Sequence, residues 1–408
     1  MPKIKLRSEN FLCFLNFFIA DVAGGIGPYI AVFLISYKHW DPFHIGIILS
    51  LTSVSTLIAQ TSAGIIIDKV KPKRALLAVA ILIIAIATIF IALYPTFWFV
   101  AIAQVITGIS ATLIGPCINA ITLGLVGQDR FTHQIGQNEA YNHMGNVCAA
   151  LIIGILSRYF GIYLVFYLLV IMALLAEICI LSIKAERINH DIARGFYKDG
   201  NNVALSLLDV IRQPNIFLFA ICVFIFHFAN APMLPLLGQE LSIINKGYGT
   251  MSMSACILVA QITMIFMAIF VGKKVDIWGR KPIFLIAFIC LPIRGFLYTL
   301  FKNPYILTSI QVLDGVGAGI FGALFPIVIS DLTMGTGRFN ATLSVVVTLQ
   351  GIGVAISNTI SGFIVTKVGY DSGYIFLSII ALIGFIIYVF TIPETLRKPR
   401  NEPLYKID

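Results

Sequence analysis

The sequence predicts an all-α integral membrane protein of twelve transmembrane helices, and three observations predict it. Its 408 residues are 59% hydrophobic and only 12% charged, with a mean hydropathy of +0.94, whereas soluble domains carry about 25% charged residues. The apolar runs are continuous over the roughly 20 residues that carry a helix across a bilayer, which excludes the alternating pattern of a membrane β-barrel. Most of the polar connections between these runs are short, so neighbouring helices run antiparallel.

Taken in order, the spans fall at roughly 11–35, 45–67, 75–93, 98–126, 138–157 and 162–183, then at 215–240, 250–272, 283–301, 305–330, 340–366 and 372–393. The first apolar run is too long for a signal peptide and lacks a small-residue cleavage site, so it reads as an uncleaved span. One connection is long, the polar stretch 184–214 with "KAERINHDIARGFYKDGNN". Of the 28 Lys and Arg residues, twenty-two fall at the termini and in the loops of one side, five fall on the other, and Arg294 lies inside a span. The positive-inside rule then places both termini and the long connection in the cytoplasm, and the chain in the inner membrane. The net charge of +9 is spread over these loops rather than gathered in a patch, so no nucleic acid is expected as partner. Each of the seven cysteines stands alone in an apolar run. No disulfide, metal site or cofactor is expected.

The chain repeats itself. "AGIIIDKVKPKRA" follows the second span and "VGKKVDIWGRKPI" the eighth, with Gly64 and Asp68 matching Gly272 and Asp276 at an offset of 208. At the same offset Lys73 matches Lys281, Arg130 Arg338, Gly145 Gly353, Gly154 Gly362, and Gly161 Gly369. "QVITG" at 104–108 matches "QVLDG" at 311–315 at an offset of 207. One offset held along most of a half indicates duplication. The expected organisation is a six-helix bundle over 1–184, a cytoplasmic linker over 185–214 and a second bundle over 215–408.

The paired loop motif, G-x-x-x-D followed by basic residues, resembles that of the major facilitator superfamily, as does "IPETLRKPR" at 392–400. The resemblance covers the whole chain. It implies two pseudo-symmetric bundles around a cavity near the bilayer midplane and alternating access by rocking of the halves. It also implies that Asp68 and Asp276 gate one face, with Lys69, Lys73, Arg74, Arg280 and Lys281 as helpers. Gly64 and Gly272 let the helices approach closely. The first copy has Lys71-Pro72 where the second has Gly279-Arg280, which puts the strength of the first latch in doubt.

A charged residue near the bilayer centre costs roughly 2.5–3.5 kcal/mol on insertion scales, so those in spans mark candidate sites. Asp21 lies roughly 15 Å into the first span at 1.5 Å per residue and is the first choice for a coupling proton or a substrate contact. Glu139, Asn142, His143 and Asn146 share one face of the fifth span, with Glu139 and His143 one turn apart as a candidate relay. His227 and Asn230 stand before two prolines in the seventh span. Arg294 and Asp314 fall at similar depths and are expected to pair, in a role more structural than substrate-binding. Gln60, Gln104, Asn119, Gln350 and Asn358 are further cavity candidates, with Tyr29 and Phe33 as apolar walls. Glu177 is expected near the cytoplasmic interface.

No ATP-binding loop, nucleophile–base pair or metal-ligand spacing occurs, so the expected function is secondary transport and not catalysis. The fourth span has Gln104 where proton-coupled drug exporters of the superfamily usually carry arginine, and the fifth lacks their proline. The embedded titratable set favours proton coupling to a moderately polar organic solute, such as a metabolite, siderophore-like compound or drug, with export ahead of import. A non-transporting receptor or scaffold on the same fold is the reading from a different class. The expected partners are a small-molecule substrate, protons and the lipid bilayer, and the expected state is a monomer.

Overall fold

The computed structural model describes residues 8–23, 30, 33–34, 38, 40, 42–161, 163–196, 204–244 and 249–396. The described residues are helical almost throughout. The first six spans appear as α1 (Ser8–Ala23), α2 (Pro42–Lys69), α3 (Lys73–Leu93), α4 (Phe97–Val126), α5 (Gln128–Phe160) and α6 (Tyr163–Ser182). The last six are α7 (Pro214–Asn230, continued as Met233–Ile244), α8 (Gly249–Trp278), α9 (Arg280–Leu300), α10 (Pro304–Thr333), α11 (Phe339–Val368) and α12 (Tyr370–Thr391). Ten of these are long and apolar enough to cross a membrane, and Ser8–Ala20 is a shorter apolar helix. The chain is a multi-pass membrane protein.

Among the described residues, two differences from the expected spans bear on the site. The fifth starts ten residues before the expected 138, at Gln128, because its first turns are polar and project beyond the apolar stretch. The seventh breaks at Ala231-Pro232, since proline removes a backbone donor and clashes with the preceding turn. The tenth starts with an Asn303 cap, whose Oδ1 accepts the Tyr305 N–H at 2.9 Å, and with Pro304 at the first helical position, the arrangement those residue types prefer.

Two apolar cores result. One gathers residues of α1–α6 together with Ile30, Phe33 and Leu34 between α1 and α2, and Ile183 and Ala193 of the connecting segment. The other gathers α7–α12, joined by Leu123, Phe131 and Ile135 from the first half.

The duplication reappears as equivalent helix crossings. A Cβ on Gly145 would strike the Phe17 carbonyl of α1, and one on Gly353 would stand 3.0 Å from the Phe224 carbonyl of α7. On Gly108 it would come within 2.6 Å of the Thr52 carbonyl, and on Gly315 within 2.6 Å of the Ala260 carbonyl. Each of these backbone approaches requires a missing side chain.

The halves meet along two seams, α2 against α11 and α5 against α8. On the first, Gly64 faces Asn340 and Ser344, and the Thr61 and Thr348 hydroxyls lie 2.9 Å apart. On the second, Gly136 crosses Gly272 so closely that a Cβ on Gly272 would stand 3.1 Å from the Gly136 Cα. The face bearing the basic loops is closed by contacts between the halves.

Candidate functional site

The closed face is organised by the two copies of the loop motif. Asp68, at the end of α2, is fully buried, and its carboxylate reaches the N-terminus of α11 in the opposite half. Oδ1 accepts the Asn340 side-chain amide at 2.9 Å and the Asn340 N–H at 3.3 Å, while Oδ2 accepts the Ala341 N–H at 2.9 Å. A helix N-terminus offers unpaired N–H groups and a positive dipole end. A carboxylate there answers both at once.

The basic residues of the first copy turn the other way. Buried Lys73 donates to the Ile67 and Val70 carbonyls at 2.7 and 3.0 Å, closing the C-terminus of α2, and meets His190 Nδ1 at 3.2 Å. His190 lies in the loop, where its own burial and then the Lys73 and Arg194 charges push its pKa down to about 4 against the pull of Asp191. Neutral at ordinary pH, the imidazole accepts from the ammonium. Arg74 donates to the Leu181 and Ile183 carbonyls of its own half, and Lys69 is exposed. None of these bonds reaches the opposite half.

The second copy is wired through arginine. Asp276 is half-exposed and pairs with Arg280 one turn on, at 2.5 Å. Buried Arg280 also pairs with Asp331 at 3.0 Å, donates to the Val275 carbonyl at 3.1 Å, and reaches the Thr132 hydroxyl of α5 at 3.4 Å. Asp331 in turn accepts from Gln128 of α5 at 3.3 Å, and Ser330 donates to the same Gln128 at 3.1 Å. The Glu394 carboxylate takes the N–H groups of Arg280 and Lys281 at 2.9 and 3.1 Å, capping α9. Lys281 Nζ donates to the Val389 carbonyl at 2.7 Å.

Deeper in the bundle the polar residues separate into groups. The fifth-span face divides. Asn142 donates to the Asn16 carbonyl of α1 at 3.5 Å, and Asn146 to Asn142 at 3.4 Å. Glu139 and His143 turn to the other half. Glu139 Oε2 would lie 3.7 Å from a Cβ on Gly322 of α10, and His143 Nδ1 stands 2.8 Å from Gln261 Oε1 of α8. Gln261 Oε1 is an amide oxygen and only accepts, so Nδ1 is the donor in this bond.

Arg294, 1% exposed, forms an ion pair with Asp314 and donates to Asn230 Oδ1 at 2.8 Å. The three residues tie α9, α10 and α7 together. Its Nε is buried without a partner. The His227 ring packs edge-on against Phe321 at 4.6 Å, and its Nε2 is likewise buried without a partner. Gln60 and Gln104 are buried, Asn119 and Gln350 half-buried, and Asn358 exposed. Phe33 is a correction to the expected cavity wall. It is fully buried in the first core against Tyr163 and Phe166, because an aromatic ring gains most where it can pack on other rings. Tyr29 and the Asp21 side chain lie outside the described residues. Asp21 itself falls on α1.

Sequence reasoning missed Asn340, Asp331, Gln128, Gln261, His190 and Glu394. Glu394 had a signal in the quoted "IPETL", and Asp331 had one as an acidic residue closing an apolar span. On the opposite face Lys302 bonds Glu240 and Asp371 at 2.7 and 2.5 Å, and Tyr374 donates to Glu240 at 2.9 Å. Burial works against the Lys302 charge, but the two carboxylates prevail and hold its pKa above the usual lysine value.

Comparison with known proteins gives a consistent result. A sequence profile described as Major Facilitator Superfamily matches residues 12–293 and 216–405. An uncharacterised MFS-type transporter of Mycobacterium tuberculosis, found in two strains, is 42% identical over 392 residues, covering 95% of this chain and 94% of its own. Among solved structures, the MFS transporter FucP in the outward conformation superposes with a TM-score of 0.76 at 14% identity, over 95% of this chain and all of FucP. The human organic anion transporter MFSD10 does so at 0.72 and 13%, over 95% of this chain and all of its own. At these identities the likeness is one of fold.

Proposed function

The chain belongs to the major facilitator superfamily of transporters, and on that premise we propose that it moves a small organic solute by proton-coupled alternating access, in the export direction. Transporters of this family are not enzymes, and no catalytic step is involved. The observation that carries proton coupling is the Glu139–His143 pair. One turn apart on α5, both project from the first half toward the second, the carboxylate opposite Gly322 and the imidazole onto Gln261. A titratable pair at a seam between moving halves changes its surroundings whenever the seam opens. It can therefore take a proton in one state and release it in the other.

By the positive-inside rule the closed basic face is cytoplasmic, with both termini on that side, and this state opens outward. Asp68, and Arg280 with Asp331, are the gate that holds it, with Asp276 steadying Arg280. The Arg294–Asp314–Asn230 triad fixes the second bundle beside the pathway, by joining α9, α10 and α7. The rest of the embedded polar set, Asp21, His227 and the glutamines and asparagines of α2, α4 and α11, supplies substrate contacts. Among the described residues Arg294 is the one arginine buried in mid-span, which disfavours an anion carrier of the paired-arginine kind.

Vesicles reconstituted with the protein, loaded with compounds first found by thermal shift, test this reading. A pH gradient should drive accumulation in inside-out vesicles, and Glu139→Gln should abolish driven flux while sparing exchange of solute for solute. Driven flux at the wild-type rate in that variant would remove Glu139 from the coupling path. Asp21→Asn, under the same assay, asks the question of the first span.

A further inference from the structure

The connecting segment does more than join the halves. Its Asn189 N–H donates to the Gly124 carbonyl at the end of α4 at 2.9 Å, and His190 receives Lys73 at the start of α3. These bonds fasten it to the first half. Asn189 Oδ1 then accepts the N–H groups of Asp191 and Ile192, both at 3.0 Å, a side-chain turn that sets up the short helical turn Ile192–Arg194.

That turn aims the carbonyl of fully buried Ala193 at the second half, where it accepts the Asn340 side-chain amide at 3.0 Å. Two residues on, the Gly195 carbonyl accepts the Gly335 N–H at 2.6 Å. The buried Phe196 ring occupies the space that a Cβ on Gly337 would need. Further along, the Leu205 N–H donates to the Thr336 carbonyl at 3.1 Å, and Arg338 Nε donates to the Leu205 carbonyl at 2.7 Å.

Asn340 is the shared node. Its two amide hydrogens go to Asp68 Oδ1 and to the Ala193 carbonyl, and its own Oδ1 is buried without a partner. The orientation of this amide therefore depends on its two acceptors alone, one on α2 and one on the connecting segment.

We infer that residues 189–196 form a strap, with Asn189 and Phe196 as positioning residues that hold Asn340 for the Asp68 cap, so that docking of the strap and closure of this face are one event. The strap is tied to α3 and α4 at one end and to the 333–340 loop at the other. If α11 withdraws from Asp68, the Ala193, Gly195 and Phe196 contacts cannot all survive. If the strap loosens, Asn340 loses one acceptor and with it the fixed geometry of the cap. The inference rests on the reading of Asp68 as a gate, and the test separates the two.

Amide hydrogen exchange, read by mass spectrometry on the full chain in lipid nanodiscs, supplies that test. In Asp68→Asn, exchange at Asn340 and Ala341 should rise tenfold or more, and Gly195, Phe196 and Gly335 should rise with them by a similar factor. In the Asn189→Ala, Phe196→Ala double variant, with Asp68 intact, Asn340 and Ala341 should rise likewise. Faster exchange at 340–341 in Asp68→Asn with 195–196 and 335 unchanged would overturn the strap and leave the gate standing. No change at 340–341 in that variant would remove the gate reading, and the double variant then decides the strap, which falls if 340–341 stay protected there too. Should the double variant fail to fold, the Asp68→Asn pattern decides alone.

Discussion

The two copies of the loop motif carry the same glycine and aspartate, yet the fold uses them differently. Asp68 crosses to the other half and caps α11 directly. Asp276 stays in its own half, held by Arg280, and the link across that seam passes through Arg280, Asp331 and Gln128 instead. The cause is local. Gly279, at φ +97°, ends α8 and lets α9 begin at once with Arg280, whose guanidinium folds back over the last turn and intercepts the Asp276 carboxylate. In the first copy Lys71-Pro72 stands there. No arginine intercepts Asp68, and the carboxylate is left for the N–H groups of α11. The substitution that put the first latch in doubt is what lets it reach across. A duplicated motif is thus a duplicated opportunity, and its neighbours decide which bonds form.

That contrast can be broken by mutation. Asp68→Ala removes a buried cap and leaves amide donors unpaired, at a cost of about 2–3 kcal/mol to the closed state, by the usual worth of caps and of hydrogen bonds to charged groups. Asp276→Ala loses a half-exposed pair worth about 0.5 kcal/mol. Distance measurements between spin labels across the basic face should show a large opening for the first and almost none for the second. Equal effects would mean that the two copies act alike.

The seams provide the second measure. Gly272→Ala forces a Cβ against Gly136, an overpacking that typically costs about 1–3 kcal/mol. Gly115→Ala, on a helix position with nothing within 4 Å of its Cβ, should be neutral or slightly stabilising by helix propensity, by at most about 1 kcal/mol. Thermal unfolding in detergent with matched lipid separates them. A Gly272→Ala protein as stable and as closed as the wild type would deny the α5–α8 seam its role.

The smallest effect concerns pH. His190 titrates near 4 when docked and near 6.5 when free, so the docked state disfavours protonation. Its contribution is fully present above about pH 6.5 and is lost as pH falls toward 4. The groups facing it are Lys73, Arg194, Asp191 and Lys71. Exchange protection factors at Gly195 and Phe196 should drop between pH 7.5 and 5, and His190→Gln should flatten that drop. A pH dependence unchanged in the variant would assign it to another group.

Much of the scaffold was legible in the sequence, because hydropathy and charge act locally. Twelve apolar runs, the basic loops and the 208-residue offset all follow from neighbours along the chain. The site was legible only in its ingredients. Arg294 and Asp314 could be matched by depth, but Asn230, the third member, belongs to a helix some 60 residues away. The fifth-span stripe read as one face, and packing split it. Asn142 lies against α1 and Glu139 against α10, because a helix wedged between two partners presents adjacent rows to each. Asn340 gave no warning and Asp331 only its charge at the end of an apolar span, since nothing in the local pattern marks a partner 272 or 203 positions away.

By itself the sequence determined that this chain crosses a membrane as helices, that it is built from two related halves, and which face bears the positive charge. Those properties come from desolvating backbone and side chains in hydrocarbon, which each segment must satisfy alone. The tertiary structure decided which carboxylate crosses between the halves, which half of a polar stripe meets the seam, and that the connecting segment shares Asn340 with Asp68. Such choices depend on distances of a few ångströms between segments remote in the chain, and only the packed bundle sets them.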